Sequence, residues 1–242
     1  MPQTPITVDA ALGALERHYG PQQVDWPVDP YAFIVWWHCG YPASDAACAK
    51  GWAALTSATG IEPRQLLAAS PAELAKSLKN GGMVPELRAQ RLKEIAMRVQ
   101  DSLGGNLADA LDGPTDQARR VLKQFPNISD PGADRILLFA GLAPIPAVPS
   151  NNPAPLVRIL HGRERENYGV NYKQAQHDLE AQLPATFDAR ARAYLLLKAH
   201  GQQLCKRTKP KCDRCPLQKQ CAYAKRNFRG RGAAAPVPGS RR

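Results

Sequence analysis

His200–Cys221 reads HGQQLCKRTKPKCDRCPLQKQC and gathers four of the chain's six cysteines, Cys205, Cys212, Cys215 and Cys221, in the spacing C-x6-C-x2-C-x5-C. Thiolate is a soft, anionic ligand, and four of them held this closely repel one another unless a metal ion or an iron cluster neutralises them. The other use of paired cysteines, disulfides, suits secreted chains. The N-terminus MPQTPITVDA has no basic segment leading into an apolar one, and no apolar run approaches the length of a membrane span. These features predict a cytoplasmic protein with a metal centre and no membrane association. Structural zinc sites usually present two separated C-x2-C knuckles, and here only Cys212 and Cys215 make such a pair. The longer flanking gaps suit four ligands closing around a larger cubic cluster, but spacing alone leaves iron and zinc both open.

Between the first two of these cysteines lies Lys206-Arg207-Thr208-Lys209-Pro210-Lys211, four cations stiffened by one proline. A loop pinned at both ends by metal bonds would hold Lys206, Arg207, Lys209 and Lys211 as a fixed array suited to backbone phosphates. The whole chain agrees: its 242 residues carry a net charge of +11 and a pI near 9.6, which favours a polyanionic partner, nucleic acid first. The remaining cysteines, Cys39 and Cys48, stand far from the run and read as small core residues.

Working outward, the pattern is helical almost throughout, with apolar residues at helical spacing separated by Pro and Gly and no alternating strand-like runs. Helices are predicted over about 8 to 18, 29 to 38, 43 to 58, 71 to 79, 86 to 103, 115 to 124, 133 to 141, 155 to 162, 171 to 182 and 187 to 203. Ser70-Pro71-Ala72-Glu73 has an N-cap, a first-turn proline and a capping-box acid. Gly60 and Gly201 stand where left-handed C-caps are expected. Leu142–Pro155, LAPIPAVPSNNPAP, reads as an irregular connector. From about 227 the chain is rich in Arg, Gly, Ala and Pro without an apolar pattern, which predicts a disordered tail whose Arg229, Arg231, Arg241 and Arg242 add phosphate contacts. The fold class is all-α.

The cysteine run, preceded by a helix ending in His-Gly, resembles the iron-sulfur cluster loop of the endonuclease III family of DNA glycosylases. Val121–Gly141, VLKQFPNISDPGADRILLFAG, resembles that family's helix-hairpin-helix, and Gly81–Ala96 resembles its glycine turn leading into a helix with an Arg-Ala pair. The resemblance spans roughly residues 28 to 225. It implies two helical domains: a six-helix barrel at 28–142 with the hairpin at 115–141, and a cluster domain built from 1–27 and 143–226 with its loop at 205–221, the tail following at 227–242. It further implies a [4Fe-4S] cluster on Cys205, Cys212, Cys215 and Cys221, and a monomer bound to duplex DNA with a damaged base or abasic site flipped into a cleft. In the hairpin turn, backbone N–H groups around Asn127, Ser129 and Gly132 would face a phosphate. Trp36, Trp37, His38 and Tyr41 fall where family members contact the flipped base or fill its gap, and also read as core.

Two departures matter for chemistry. The family's lysine nucleophile falls at Pro131, which has no amine for a Schiff base. Its aspartate falls at Pro149, with Asn151 at the companion polar position, so the carboxylate that would stabilise charge on the sugar is also missing. Asp130, Asp134, Glu164 and Glu166 are candidate replacements that otherwise read as caps or surface charges. Asn127 and Ser129 replace two turn glycines, and some loss of ideal hairpin geometry is expected because Asn accepts positive φ better than Ser. The resulting expectation is a monofunctional glycosylase lacking lysine-dependent lyase activity. A non-catalytic damage binder and a zinc-stabilised helical nucleic-acid binder are the alternatives.

Overall fold

The computed structural model describes residues 6–150 and 154–228, and among these there are helices and turns but no strand. The chain divides into two compact units. One is continuous, Val24–Ile145; the other is assembled from the two chain ends, Met1–Gln23 and Pro146–Arg242.

The two-ended unit begins with α1 (Val8–Tyr19), capped by the Thr7 hydroxyl accepting from the Ala10 N–H. The continuous unit then contains α2 (Pro30–His38), α3 (Asp45–Ala58), α4 (Pro63–Ala68), α5 (Pro71–Leu78), α6 (Pro85–Met97), α7 (Leu107–Leu111), α8 (Thr115–Leu122) and α9 (Asp130–Phe139). The two-ended unit resumes with α10 (Ala154–His161), α11 (Tyr168–Gln182), α12 (Phe187–Gln203) and α13 (Ala222–Phe228). In it α10 packs on α11, α12 and α13, and α1 lies against α10, α11 and α12. Val8, Leu12, Leu15, Leu156, Leu179 and Leu196 form the centre of its core. Burying each such side chain contributes about 1.5–3 kcal/mol, which is what holds two distant chain segments together.

Local signals account for most boundaries. The Ser70 hydroxyl accepts from the Glu73 N–H at 3.2 Å while the Glu73 carboxylate accepts from the Ser70 N–H at 2.8 Å, with Pro71 in the first turn. Gly60 adopts φ +78° just past α3. Gly201 does not end its helix. It lies inside α12, which runs to Gln203 because the Leu204 and Cys205 N–H groups both close on the His200 carbonyl, at 3.0 and 2.8 Å. The second hairpin helix starts at Asp130, three residues before the predicted start. Pro131 belongs to its first turn, where a missing N–H costs nothing. Likewise α11 begins at Tyr168, because the Asn167 side chain caps the Val170 N–H. Three helices escape the periodicity reading: α4, α7 and α13 have 6, 5 and 7 residues, too short to show a repeat. Asn227 lies in the last turn of α13 rather than opening a tail, and Arg229, Arg231, Arg241 and Arg242 lie outside the described residues, as does Asn151.

No helix among the described residues is long and apolar enough to cross a membrane.

Candidate metal centre and candidate nucleic-acid hairpin

In the two-ended unit, Cys205, Cys212, Cys215 and Cys221 line one small cavity, shared with Arg158, Ile159, His200 and Tyr223. α12 delivers Cys205 just past its end, a 3-10 turn at Cys212–Arg214 carries the C-x2-C pair, and Cys221 immediately precedes α13. Among the described residues no three His, Cys, Asp or Glu side chains stand close enough to hold a single metal ion. Burial raises the thiols: Cys205 is pushed up to about 12, opposed by the Arg158 cation, and Cys215 to about 11. Cys212 and Cys221 are raised for the same first reason, and mutual repulsion adds to it in Cys212. Four thiols so placed ionise at neutral pH only if a cationic group takes up their charge.

Arg158 on α10, 2% exposed, is the central fixture. Its guanidinium donates to Cys205 Sγ at 3.8 Å, to the carbonyls of Lys206 and Arg207 at 2.9 Å each, and to Glu164 Oε1 at 2.5 Å. It thereby places positive charge beside the cysteines and fixes the backbone of the basic loop. The Lys211 N–H closes that loop on the Leu204 carbonyl at 2.8 Å. Lys206, Arg207, Lys209 and Lys211 are all exposed, so the four predicted cations share one restrained loop. On the opposite side His200, buried, has Nδ1 3.0 Å from the Tyr19 hydroxyl and Nε2 3.9 Å from Cys215 Sγ. Burial lowers the imidazole to about 4, so it is neutral, and in the tautomer with its hydrogen on Nε2 the Tyr19 hydroxyl donates to Nδ1 and the Nε2 hydrogen faces sulfur. The Leu217 N–H adds a bond to Cys215 Sγ at 3.4 Å. Sequence reading missed Arg158 and His200 as parts of this site. Their signal was faint: a cation inside an otherwise apolar helix, and the His of the His-Gly pair.

In the continuous unit, α8 and α9 flank a turn anchored by buried Phe125 and Ile128. Asn127 takes φ +54°, as expected of a residue standing for glycine. Ser129 does not: its φ of −103° and ψ of −175° are extended backbone, so the expected loss of hairpin geometry at this position is not found, and its side chain makes no cap bond. Gly132 is buried on α9, where a Cβ would meet Ile128 at an ordinary 3.5 Å. Asn127 and Ser129 are exposed at the turn. Pro131 is buried in the first turn of α9.

The candidate carboxylates sort clearly. Asp134 is neither cap nor surface charge; it is buried and paired with Arg119 at 2.9 Å. Glu164 is half-buried against Arg158. Glu166 is exposed. Asp130 is exposed at the start of α9, 2.6 Å from Lys123. The aromatic group is core: Trp36, Trp37 and His38 are buried. Tyr41 stacks on Trp37 at 4.4 Å, and Arg135 lies over Trp26 at 3.8 Å while pairing with buried Asp45 at 3.1 Å. Cys39 and Cys48 are buried free thiols.

One exposed feature remains. The turn before α6 holds Val84 at φ +52°, and buried Arg88 donates to the carbonyls of Cys39, Leu78, Gly82 and Met83. Met83 projects from this pinned turn, 84% exposed.

This arrangement of helices is the endonuclease III fold. A non-covalent endonuclease III–DNA complex superposes with a TM-score of 0.73 over 92% of this chain and 97% of that one, at 17% identity. The structure of a thermostable thymine-DNA glycosylase superposes at 0.70 over 90% and 97%, at 18% identity. That of the Helicobacter pylori 3-methyladenine glycosylase MagIII superposes at 0.60 over 82% and 98%, at 15%. In sequence, the chain is 25% identical over 162 residues to a thymine/uracil-DNA glycosylase of Methanothermobacter thermautotrophicus, a stretch covering 65% of this chain and 66% of that relative. No protein-family model matches.

Proposed function

We propose that the chain is a DNA-repair glycosylase whose Cys205, Cys212, Cys215 and Cys221 hold a [4Fe-4S] cluster. The observation that carries this is the convergence of the four cysteines on one cavity beneath a restrained, exposed loop of four cations. Four thiols that line one cavity suit four thiolate ligands of an iron-sulfur cluster. When bound, the cluster would supply four metal–thiolate bonds that fix the cation loop. N–H donors from Arg158, His200 and Leu217 onto the sulfurs suit such a group.

The cation loop would grip backbone phosphate, and the Asn127–Ser129 turn with the N-terminus of α9 would grip another. Met83, rigidly presented, would enter the base stack at the gap left by the flipped nucleotide. Its turn is held against opening by the Gly82 and Met83 carbonyl bonds to Arg88, which is itself anchored on the Cys39 and Leu78 carbonyls, so little ordering cost is left to binding.

Base release breaks the C1′–N bond with its electron pair leaving on the base, and water then adds to the sugar cation, the proton it loses balancing the one the base takes up, to give an abasic site and the free base. Of the four carboxylates weighed, Asp134 and Glu164 are held by arginines that are largely or fully buried, which leaves exposed Glu166 and exposed Asp130, the latter paired with Lys123; Asp130, at the hairpin turn itself, is the first to test for stabilising that cation. No amine stands at position 131, so strand cleavage through a Schiff base there is not expected. The relative that acts on thymine and uracil makes uracil or thymine opposite guanine the first substrates to try.

Single-turnover incubation of the anaerobically purified protein with labelled duplexes tests the reading. Breaks only after hot alkali are expected. Intact strands throughout, with binding to abasic duplex retained, would replace this reading with a non-catalytic damage binder. A borohydride-trapped adduct would contradict the absence of lyase chemistry.

A further inference from the structure

The two-ended unit has a second cavity, about 710 Å³ with its open mouth, lined by Val157, His161, Arg163, Arg165, Asn171 and Gln174. Its wall is built. α10 ends at His161, Gly162 turns the chain at φ +78°, and an irregular stretch then runs to the Asn167 cap of α11. Glu164 goes inward to Arg158, while Arg163 and Arg165 face the cavity. Buried Asn171 clamps the stretch, its Oδ1 accepting from the Arg165 N–H at 2.7 Å and its Nδ2 donating to the Arg165 and Asn167 carbonyls at 2.7 and 3.1 Å.

The charges are unbalanced in one direction. Asp178 is the acid bound to this wall, and it is occupied by His161 Nε2 at 2.7 Å and by Gln174 Nε2 at 3.2 Å. Among the described residues neither Arg163 nor Arg165 forms an ion pair. Two free guanidiniums at a preformed recess suit a phosphate, whose oxygens accept their forked N–H donors in pairs.

We propose that this recess is a phosphate-binding site in which Arg163 and Arg165 hold the anion. The phosphate can come from the DNA backbone or from a free nucleotide. The neighbourhood favours DNA, since one guanidinium, Arg158, bonds both Glu164 of this wall and the Arg207 carbonyl of the cation loop. The DNA source rests on the function proposed above; phosphate binding itself does not.

The test uses the full-length holoprotein, an Arg163→Ala/Arg165→Ala variant and a Lys206→Ala/Lys209→Ala control. In one arm, inorganic phosphate, pyrophosphate and dAMP are titrated calorimetrically at ionic strength matched with chloride. In the other, affinity for an abasic duplex is followed against salt. The expected result is phosphate binding by the wild type that the arginine variant loses with unchanged thermal unfolding, and a salt slope reduced by about 0.9 for each phosphate contact removed. Lost phosphate binding with an unchanged slope would assign the site to a free phosphorylated ligand. No wild-type phosphate binding above the chloride control, together with an unchanged slope, overturns the proposal. If the lysine control also leaves the slope unchanged, the DNA-binding reading fails separately, and the calorimetric arm still decides the site.

Discussion

Replacing Arg158 with Met would keep most of the side chain's volume and remove its fork of donors. Two bonds to loop carbonyls are lost, those of Lys206 and Arg207, together with the pair to Glu164 and the donor on Cys205. Bonds from a charged donor contribute about 1.5–3 kcal/mol when both groups are buried. Here the loop is exposed and water recovers its carbonyls, so about 1 kcal/mol each is the better figure. Glu164 is 34% exposed in its side chain, and screening holds that pair to about 1 kcal/mol. The sum is about 3 kcal/mol, felt first as local opening of the loop. Limited trypsin digestion reads this directly, because Lys206, Arg207 and Lys211 are cleavage sites, whereas Lys209 is shielded by Pro210: an opening free energy lower by about 3 kcal/mol raises cleavage there by roughly a hundredfold when reclosing outpaces proteolysis. Glu164→Gln, which loses only the ion pair, should raise it about fivefold. Equal cleavage of the wild type and Arg158→Met would refute the account of Arg158 as the loop's anchor.

Further outcomes follow from single sites. Burial lowers His38 to about 4 against an ordinary value near 6.5, so the unfolded chain takes up the proton first. Its contribution to stability is complete above about pH 6.5 and is lost as pH falls towards 4, by about 3 kcal/mol; urea midpoints between pH 7 and 4.5 should fall less steeply in His38→Gln than in the wild type. Asn127→Gly should stabilise by about 0.5 kcal/mol because the residue sits at positive φ, whereas Ser129→Gly should destabilise by a similar amount because its extended backbone gains nothing. Thermal unfolding of the two variants in opposite directions is the check, and a stabilised Ser129→Gly would contradict it. Asp45→Ala leaves Arg135 buried among Trp26, Phe33, Trp36 and Trp37 without this partner and should cost about 3–5 kcal/mol. Asp45→Ala/Arg135→Met should recover a good part of that in denaturant titrations, and no recovery would show that the charge is not the cause.

The helical class and most long helices were legible because helical spacing and caps are local: Ser70 to Glu73 states its own boundary. Short helices were not, since α4, α7 and α13 are held by neighbours rather than by a repeat. The cysteine run was legible as a set of ligands, but the residues facing it were not. Arg158 and His200 arrive from α10 and α12, and their approach to sulfur depends on packing that spacing does not encode. Aromatic residues misled in the opposite sense. Trp36 and Trp37 fit both a base platform and a core, and only burial decides between them. Ser129 shows the same limit at the backbone level: replacing a glycine is costly only where the observed φ is positive, and here it is not.

Composition counted cations without showing that they do two kinds of work. Arg88, Arg135, Arg158 and Arg190 are buried, and three of them donate to backbone carbonyls: Arg88 to Cys39, Leu78, Gly82 and Met83, Arg158 to Lys206 and Arg207, and Arg190 to Leu183. Such arginines act as staples on irregular chain. Two of the stapled segments are the ones that carry the exposed candidates for DNA contact, the Met83–Val84 turn and the Lys206–Lys211 loop. A loop already fixed before binding loses little conformational freedom when a phosphate or a base gap takes hold of it. The buried arginines therefore fix the exposed segments, and on the proposed function removing a staple should weaken DNA binding even though no stapling arginine need touch DNA.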